Sequence, residues 1–234
     1  MAIRQGAVVD SGRARLPRPR KTPTQARSRA LVDAVVEAAR RILDSEGAAA
    51  LTIQRIADVS GATVGSIYQY FPGKDAIVAL VCERELEAAV VHLHASIERL
   101  RRLPLAEALR EILANTIRVE RRLSQLDREF HLRHYADLQL GMRCGDFASP
   151  DEYVNTAWMQ FLALYGDEVT ARDRHAVAYV LGMGMRAVIR AALEDDPARL
   201  EQPALLDVLV DMALGAIRPR TSPAVATRED SASR

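Results

Sequence analysis

Apolar residues recur every three or four positions along most of this chain, which is the period of an α-helix with one buried face. The first run is clear, with Leu31, Val35 and Ile42 at helical spacing before Gly47. A glycine just after the last apolar position is a common helix end, so the pattern predicts a helix over about 27–46. We find no strand pattern and no internal repeat.

Two short helices are predicted next. Thr52 and Thr63 stand where a side-chain oxygen can cap each helix, Ser60-Gly61-Ala62 turns the chain between them, and Pro72 ends the second. Longer helices then follow, separated by proline and glycine. They are predicted at about 74–101, 105–122, 125–136, 150–165, 170–193 (capped by Thr170) and 203–217. The pattern therefore predicts an all-α fold.

Charge is distributed unevenly, although the net charge of the 234 residues is only +1. Residues 1–29 contain eight basic residues and one acid, so the remainder is negative. We expect 1–26 to be a disordered basic arm and 219–234 a disordered tail. A basic arm on a weakly acidic body indicates a polyanionic partner for the arm.

Several functional classes are not indicated. The two cysteines have no partner motif for a disulfide or a zinc site, and nothing resembles a signal peptide or a membrane-spanning run. We expect a cytoplasmic protein without a membrane partner. No motif of a nucleophile, phosphate loop or metalloprotease occurs, so we predict no enzyme activity, no catalytic residue, no cofactor and no metal.

The stretch SGATVGSIYQYFPGKDAI at 60–77 is the most informative part of the chain. Gly61 provides a left-handed turn, and no acid lies between Asp58 and Asp75 to repel phosphate. Gly65 costs about 1 kcal/mol inside a helix relative to alanine, which indicates that something approaches this face closely. Three short helices with this turn predict a helix-turn-helix that binds DNA. The alternative is an ordinary tight corner between two helices.

The segment LTIQRIADVSGATVGSIYQYFPGKDAIVALV resembles the DNA-binding segment of the tetracycline-repressor (TetR) family of bacterial regulators. Thr52, the Ile56-Ala57 pair, Gly61, Gly65, Tyr68-x-Tyr70-Phe71 and Gly73-Lys74-Asp75 stand in the family's order and spacing. The resemblance implies a DNA-binding domain over 27–73 and a larger helical domain for effector binding and dimerisation over 74–218. It also implies a homodimeric repressor that leaves a palindromic double-stranded operator when a small molecule binds.

The resemblance also implies which residues of this chain contact DNA. Positions that usually contact phosphate are matched by Thr63, Gly65, Tyr68, Tyr70 and Lys74. Positions that face the groove are matched by Gln54, Arg55, Val64, Ser66 and Gln69. Gln69 can pair with adenine, and Arg55 with guanine or phosphate. Val64 departs from the polar residue often found there and is able to contact a thymine methyl.

The arm is a second candidate for DNA contact. From Ala30 to Lys74 there are four cations and five acids, so non-specific affinity must depend on residues outside this segment. We hypothesise that 13–29 lies along the DNA backbone or in the minor groove. The alternative is a solvated leader without contacts.

The last two helices have the composition of an interface. The resemblance assigns them to a four-helix dimer interface; the alternative is burial within one chain. The expected interface residues are Val177, Leu181, Gly184, Val188, Leu206, Leu209, Val210, Ala213 and Ile217.

The middle helices hold most of the aromatic and histidine residues, which would suit either an ordinary core or a site for a small, largely hydrophobic effector. The candidate effector-binding residues are Phe130, His131, His134, Tyr135, Trp158, Met159, Phe161 and Tyr165. A different class remains open, because Asp127, His131 and His134 share one helical face. The alternative is an all-α small-molecule or metal-binding protein, or an enzyme, that uses these three side chains.

Overall fold

The computed structural model of this chain describes residues 16–20, 25–140, 147 and 149–218, and these residues are helical almost throughout. The helices are α1 (Ala26–Ser45), α2 (Ile53–Ser60), α3 (Val64–Tyr70), α4 (Lys74–Leu100), α5 (Leu105–Leu126), α6 (Arg128–His134), α7 (Pro150–Leu164), α8 (Arg174–Asp195) and α9 (Pro203–Ile217). Short 3-10 turns lie at Ala48–Ala50, Tyr135–Asp137 and Pro197–Glu201. Within the described ranges there is no strand, and the all-α prediction is confirmed.

Local signals in the sequence set the ends of the first helices. Gly47 follows α1 with a φ of 81°, and Gly61 follows α2 with a φ of 71°, both in the left-handed region that glycine adopts readily. The hydroxyl of Thr52 accepts a hydrogen bond from the Arg55 amide at 3.0 Å, and that of Thr63 accepts one from the Ser66 amide at 3.1 Å. These caps satisfy amides that have no partner inside the helix.

Several helix boundaries differ from their predicted positions, and the helix predicted at 125–136 is shorter, at Arg128–His134. The carboxylate of Asp173, not Thr170, caps α8 by accepting a hydrogen bond from the Ala176 amide at 2.9 Å. Thr170 instead donates its amide to the Ile217 carbonyl at 3.2 Å. The helix predicted at 105–122 continues to Leu126, because the next N-cap, Asp127, lies directly after that residue.

The chain divides into two compact units. The first comprises the described residues of Met1–His92 and Val119–Pro150, and the second those of Leu93–Arg118 and Asp151–Arg234. This division does not follow the predicted border at 73/74, because α4 and α5 each contribute residues to both units.

Each unit has its own apolar core. The first buries α1 side chains such as Val35 and Ile42 together with Ile56, Ile67 and Phe71 from α2, α3 and the following turn. The second buries Leu109, Leu162, Leu181 and Ile189 from α5, α7 and α8, with Ala213 of α9.

Part of the predicted arm is ordered against the first unit. Leu16 is only 3% exposed, and Arg18 and Arg20 bond to groups on α3, α4 and the turn after α6. The expectation of a disordered arm over 1–26 therefore does not describe 16–20. Residues 1–15, 21–24 and the predicted tail at 219–234 lie outside the described residues.

One described helix, α8, is long and apolar enough to cross a membrane by length and composition alone. A helix in the core of a helical domain passes the same test, and Leu181, Met185 and Ile189 of α8 are buried in the second unit. This helix is therefore weak evidence for a membrane span.

Candidate nucleic-acid interface

The helices α2 and α3 meet at a turn whose geometry is fixed by local bonds. The Gly61 amide donates to the Ala57 carbonyl at 3.0 Å, and the Ala62 amide donates to the Ser60 hydroxyl at 3.2 Å. Ile56 and Ile67 are completely buried and anchor one face of each helix in the core of the first unit. The opposite face of α3 is therefore directed away from that core.

All ten residues predicted to contact DNA lie on the accessible side of this helix pair. The exposed ones are Gln54, Arg55, Thr63, Gly65, Tyr68, Gln69 and Lys74, and the half-buried ones are Val64, Ser66 and Tyr70. Tyr68 is 44% exposed, a high fraction for a large aromatic side chain. None of the ten is buried, and we call this set of accessible residues the α3 surface.

Some of these side chains already have partners within the chain. The Arg55 guanidinium donates two hydrogen bonds to the Glu46 carboxylate, at 2.7 and 3.1 Å, and these bonds raise the pKa of Arg55. Gln54 donates to the Asp58 carboxylate at 2.9 Å, and the Thr63 and Ser66 hydroxyls are 2.8 Å apart. A base contact by Arg55 would therefore compete with Glu46.

Gly65 has no role in packing within this chain. Apart from its chain neighbours and the local backbone of α3, a Cβ atom on Gly65 would meet no atom within 4 Å, and the φ of Gly65 is not positive. Neither internal crowding nor backbone strain therefore explains why glycine occupies the first turn of α3. The site remains open for an external group to approach the helix backbone closely.

Sequence reasoning did not find the contacts at the carboxyl end of α3. The Arg20 amide donates to the Tyr70 carbonyl at 2.7 Å, and the Arg20 guanidinium donates to the Tyr68 carbonyl at 3.3 Å. The final carbonyls of a helix lack partners within it, and a cation there also complements the helix dipole. No local signal marks a contact between residues about fifty positions apart.

The histidines proposed as metal ligands have separate partners. The Nε2 atom of His131 lies 2.8 Å from a carboxylate oxygen of Glu120, with both side chains buried. His134 packs against Phe130 and lies 3.4 Å from Asp137, while Asp127 caps α6 by accepting the Phe130 amide at 2.9 Å. Among the described residues, no group of three metal-ligating side chains occurs.

The eight candidate effector residues divide between the units. Phe130, His131, His134 and Tyr135 belong to the first, and Trp158, Met159, Phe161 and Tyr165 belong to the second. Trp158, Phe161 and Tyr165 form a chain of ring contacts, and the Tyr165 hydroxyl donates to the Leu100 and Leu103 carbonyls.

The second unit contains a small cavity of about 70 Å³ between α4, α5 and α7. Its apolar walls include Leu93, Ile97, Ile112 and Leu164. Phe161, one of the eight candidate effector residues, also lines the cavity. Polar groups enter from three further side chains, those of His94, Tyr153 and Gln160. Such a lining fits a mainly apolar molecule with one polar end.

The helices α8 and α9 each expose a stripe of small and apolar residues. On α8 the stripe comprises Ala176, Val180, Gly184, Ala187 and Ala191, and on α9 it comprises Ala204, Val208, Met212 and Gly215. Val180, Val208 and Met212 are each more than half exposed.

Five of the nine predicted interface residues are instead buried within the single chain, because its own core uses the adjacent face of each helix. These five are Leu181, Leu209, Val210, Ala213 and Ile217. Val177, Val188 and Leu206 are half-buried, and Gly184 lies on the exposed stripe.

The chain was compared with known families and structures. The model of the family described as "Bacterial regulatory proteins, tetR family" matches residues 35–81, which cover α2, α3 and the flanking parts of α1 and α4. No curated protein matches the sequence.

Solved structures with a similar fold include a putative TetR-family transcriptional regulator from Mesorhizobium loti, with 15% identity, a TM-score of 0.53, and coverage of 82% of this chain and 97% of that one. A TetR transcriptional regulator from a Rhodococcus species has 19% identity and a TM-score of 0.50, with 80% and 97% covered. A fatty acid degradation regulator from Bacillus halodurans has 15% identity and a TM-score of 0.51, with 85% and 100% covered.

An exposed helix after a glycine turn, seated on a three-helix core, defines the class of helix-turn-helix DNA-binding proteins. Residues 35–81 match the model of the tetR family of bacterial regulatory proteins, and the chain has the fold of the TetR-family transcriptional regulators compared above.

Proposed function

We propose that this protein is a homodimeric repressor that binds a palindromic operator through the α3 surface and releases it when a small, largely hydrophobic effector binds. The observation that carries the proposal is Gly65. This glycine is exposed in the first turn of α3, and a Cβ placed there would meet nothing beyond its own helix within 4 Å, so an external surface can approach the helix backbone closely at this point.

The chemistry of the α3 surface suits a DNA duplex. Tyr68, Tyr70 and Lys74 supply two hydroxyls and a cation near the carboxyl end of α3, where they bind phosphate oxygens and fix the register of the helix. Gln69 offers an amide for the adenine edge, and Val64 a methyl surface for thymine. No acid lies between Asp58 and Asp75, so α3 brings no carboxylate to the phosphates.

The stripes on α8 and α9 support the homodimer. Apolar side chains as exposed as Val180 and Met212 favour association, and Gly184 and Gly215 permit the close approach of a second helix. Because each chain has one α3 surface, a dimer supplies two of them, and a two-fold pair of half-sites in the operator would match the two-fold axis of the protein.

The cavity in the second unit is the proposed starting point of the effector site. Its volume of about 70 Å³ is well below the roughly 300–1,000 Å³ of typical small-molecule sites, so the effector must select a state with a larger cavity. The effector would then act by favouring this state over the DNA-bound state. Bound effector would lower the affinity for DNA, and bound DNA would lower the affinity for the effector by the same factor.

Among the described residues, nothing favours the alternative of a metal-binding protein or enzyme. Its three candidate side chains are each engaged elsewhere, with Asp127 as a helix cap and His131 paired to Glu120. Burial also raises the pKa of the Cys82 thiol to about 12, which keeps this cysteine protonated and a poor ligand or nucleophile.

The proposal is tested with the full-length wild-type protein and a pool of random DNA duplexes. Rounds of selection should enrich a two-fold symmetric sequence, and binding to that duplex should be far tighter than to a shuffled one, by about 10³-fold or more. Affinity should fall steeply as salt rises from 50 to 200 mM. Enrichment of no sequence, with equal affinity for both duplexes, would contradict the proposal.

A further inference from the structure

Five residues ahead of α1 form a short segment that is held against the first unit. Residues 16–20 have the sequence Leu-Pro-Arg-Pro-Arg, and Leu16 at its start is almost completely buried. The two prolines restrict the backbone to extended conformations, so little conformational freedom is lost when the segment is fixed in place. We call residues 16–20 the strap.

The carboxyl end of the strap holds the carboxyl end of α3. Arg20 gives its amide to the Tyr70 carbonyl at 2.7 Å and its guanidinium to the Tyr68 carbonyl at 3.3 Å. These carbonyls belong to the two tyrosines that supply phosphate-binding hydroxyls on the α3 surface. The bond to Tyr70 also lies between two backbone groups, so it fixes the strap in one register against α3.

The centre of the strap is joined to two other elements through Arg18. Its guanidinium donates to the Glu83 carboxylate on α4 and to the Asp137 carbonyl in the turn after α6. Glu83 also accepts a hydrogen bond from the Gln139 amide at 2.8 Å. One arginine therefore connects the strap, α4 and the 137–139 segment, and no group in this cluster belongs to the proposed DNA contacts.

We propose that the strap is a positioning element for DNA binding, in which Arg18 and Arg20 fix the end of α3 on the first unit. The inference rests on the proposed function. Arg18 acts through the strap and not on phosphate, because its charge is already balanced by Glu83 and the pair is partly buried. Without Arg18, the strap loses its tie to α4, and the end of α3 that carries Tyr68 and Tyr70 becomes more mobile.

A direct phosphate contact and a positioning role give different salt dependences. Each phosphate that a cation neutralises contributes about 0.9 to the slope of log affinity against log salt. Loss of a positioning residue lowers affinity at every salt concentration and leaves the slope unchanged. A solvated leader without contacts, the third possibility, would change neither.

The test compares Arg18→Gln with Arg172→Gln, a control that removes the same charge from an exposed position just ahead of α8, outside the segment 13–29. Two readouts are used. The first is affinity for the duplex selected by the wild type, between 50 and 200 mM salt. The second is hydrogen exchange at the Arg20 amide in the free protein, which needs no DNA, with circular dichroism to confirm that the helices remain.

We expect Arg18→Gln to lower operator affinity about ten-fold, the equivalent of one charge-assisted hydrogen bond, with the salt slope of the wild type. Exchange at the Arg20 amide should accelerate in this variant and not in Arg172→Gln. Should Arg18→Gln disrupt folding, Glu83→Gln removes the charge from the same pair while keeping the shape of both side chains. It should show the same two effects in weaker form.

The proposal would be overturned if hydrogen exchange at the Arg20 amide were unchanged in both Arg18→Gln and Glu83→Gln. It would also be overturned if both variants kept the wild-type affinity for the selected duplex. A loss of affinity with a slope reduced by about 0.9 would assign Arg18 to phosphate and overturn it as well. If the wild type selects no duplex, the proposed function fails, and the exchange measurement alone still decides whether Arg18 holds the strap.

Discussion

The Glu37 side chain on α1 is held by two neighbours along the helix, Arg40 and Arg41. The Glu37 carboxylate accepts hydrogen bonds from Arg40 at 2.7 and 2.9 Å and from Arg41 at 3.0 Å. The spacing of three and four residues was visible in the sequence, because such positions are adjacent on a helix. The partners of Arg18 and Arg20 were not visible, because they lie some fifty or more positions away.

Glu37 provides a prediction about pH. The hydrogen bonds from Arg40, and then those from Arg41, lower the pKa of Glu37 from 4.5 to about 2. A lowered pKa means that the ionised carboxylate stabilises the folded state above pH 4.5, and that this contribution is lost as pH falls towards 2.

Glu37→Gln should therefore reduce the free energy of unfolding by about 0.5 kcal/mol at pH 7, a small value because solvent screens this half-exposed pair. The difference from the wild type should disappear near pH 2. Urea denaturation at a series of pH values measures it. Glu98→Gln is the control, since Glu98 is exposed and its nearest arginine is 3.9 Å away. A difference that persists at pH 2 would contradict this account of Glu37.

At the scale of the helix, sequence alone predicted those boundaries that depend on adjacent residues. Thr52, Gly61 and Thr63 were assigned correctly because caps and turns act over three or four positions. On α8 both sides are apolar, so the sequence could not show which side the chain buries. The structure buries Leu181 and exposes its neighbour Val180.

The exposed stripes of α8 and α9 predict which substitutions disrupt the dimer. Val180→Glu and Met212→Glu each place a charge where the proposed interface excludes water, and two-fold symmetry places that charge in the interface twice. Either variant should sediment as a monomer at micromolar concentration, where the wild type sediments as a dimer, and should bind the operator at least ten-fold more weakly.

Ala163→Glu is the matched control for these variants, because Ala163 is an exposed alanine on α7 outside both stripes. Its sedimentation should equal that of the wild type. If Val180→Glu and Met212→Glu also remain dimeric, the stripes are not the interface.

At the scale of the whole molecule, the sequence identified a DNA-binding segment but not the division of the chain. The border predicted at 73/74 came from the end of the helix-turn-helix pattern. The first unit, however, includes residues 119–150, whose Arg122 donates hydrogen bonds to Asp44 on α1 and Glu85 on α4. The small cavity was equally out of reach of the sequence, because it depends on how α4, α5 and α7 pack.

The central claim is that the α3 surface around Gly65 lies against a duplex, and one substitution tests it directly. Gly65→Ala should stabilise the free protein by about 0.5–1 kcal/mol, because alanine favours the helix and its Cβ meets no atom of the chain. The same Cβ should obstruct the DNA backbone. Asn155→Ala, at an exposed position on α7, is the control that raises helix propensity in the other unit.

The decisive measurement is the affinity of Gly65→Ala for the duplex that the wild type selects, with thermal unfolding measured on the same preparation. The account predicts an unfolding temperature at or above that of the wild type and an affinity at least ten-fold weaker, while Asn155→Ala keeps the wild-type affinity. An affinity of Gly65→Ala equal to that of the wild type would contradict the claim.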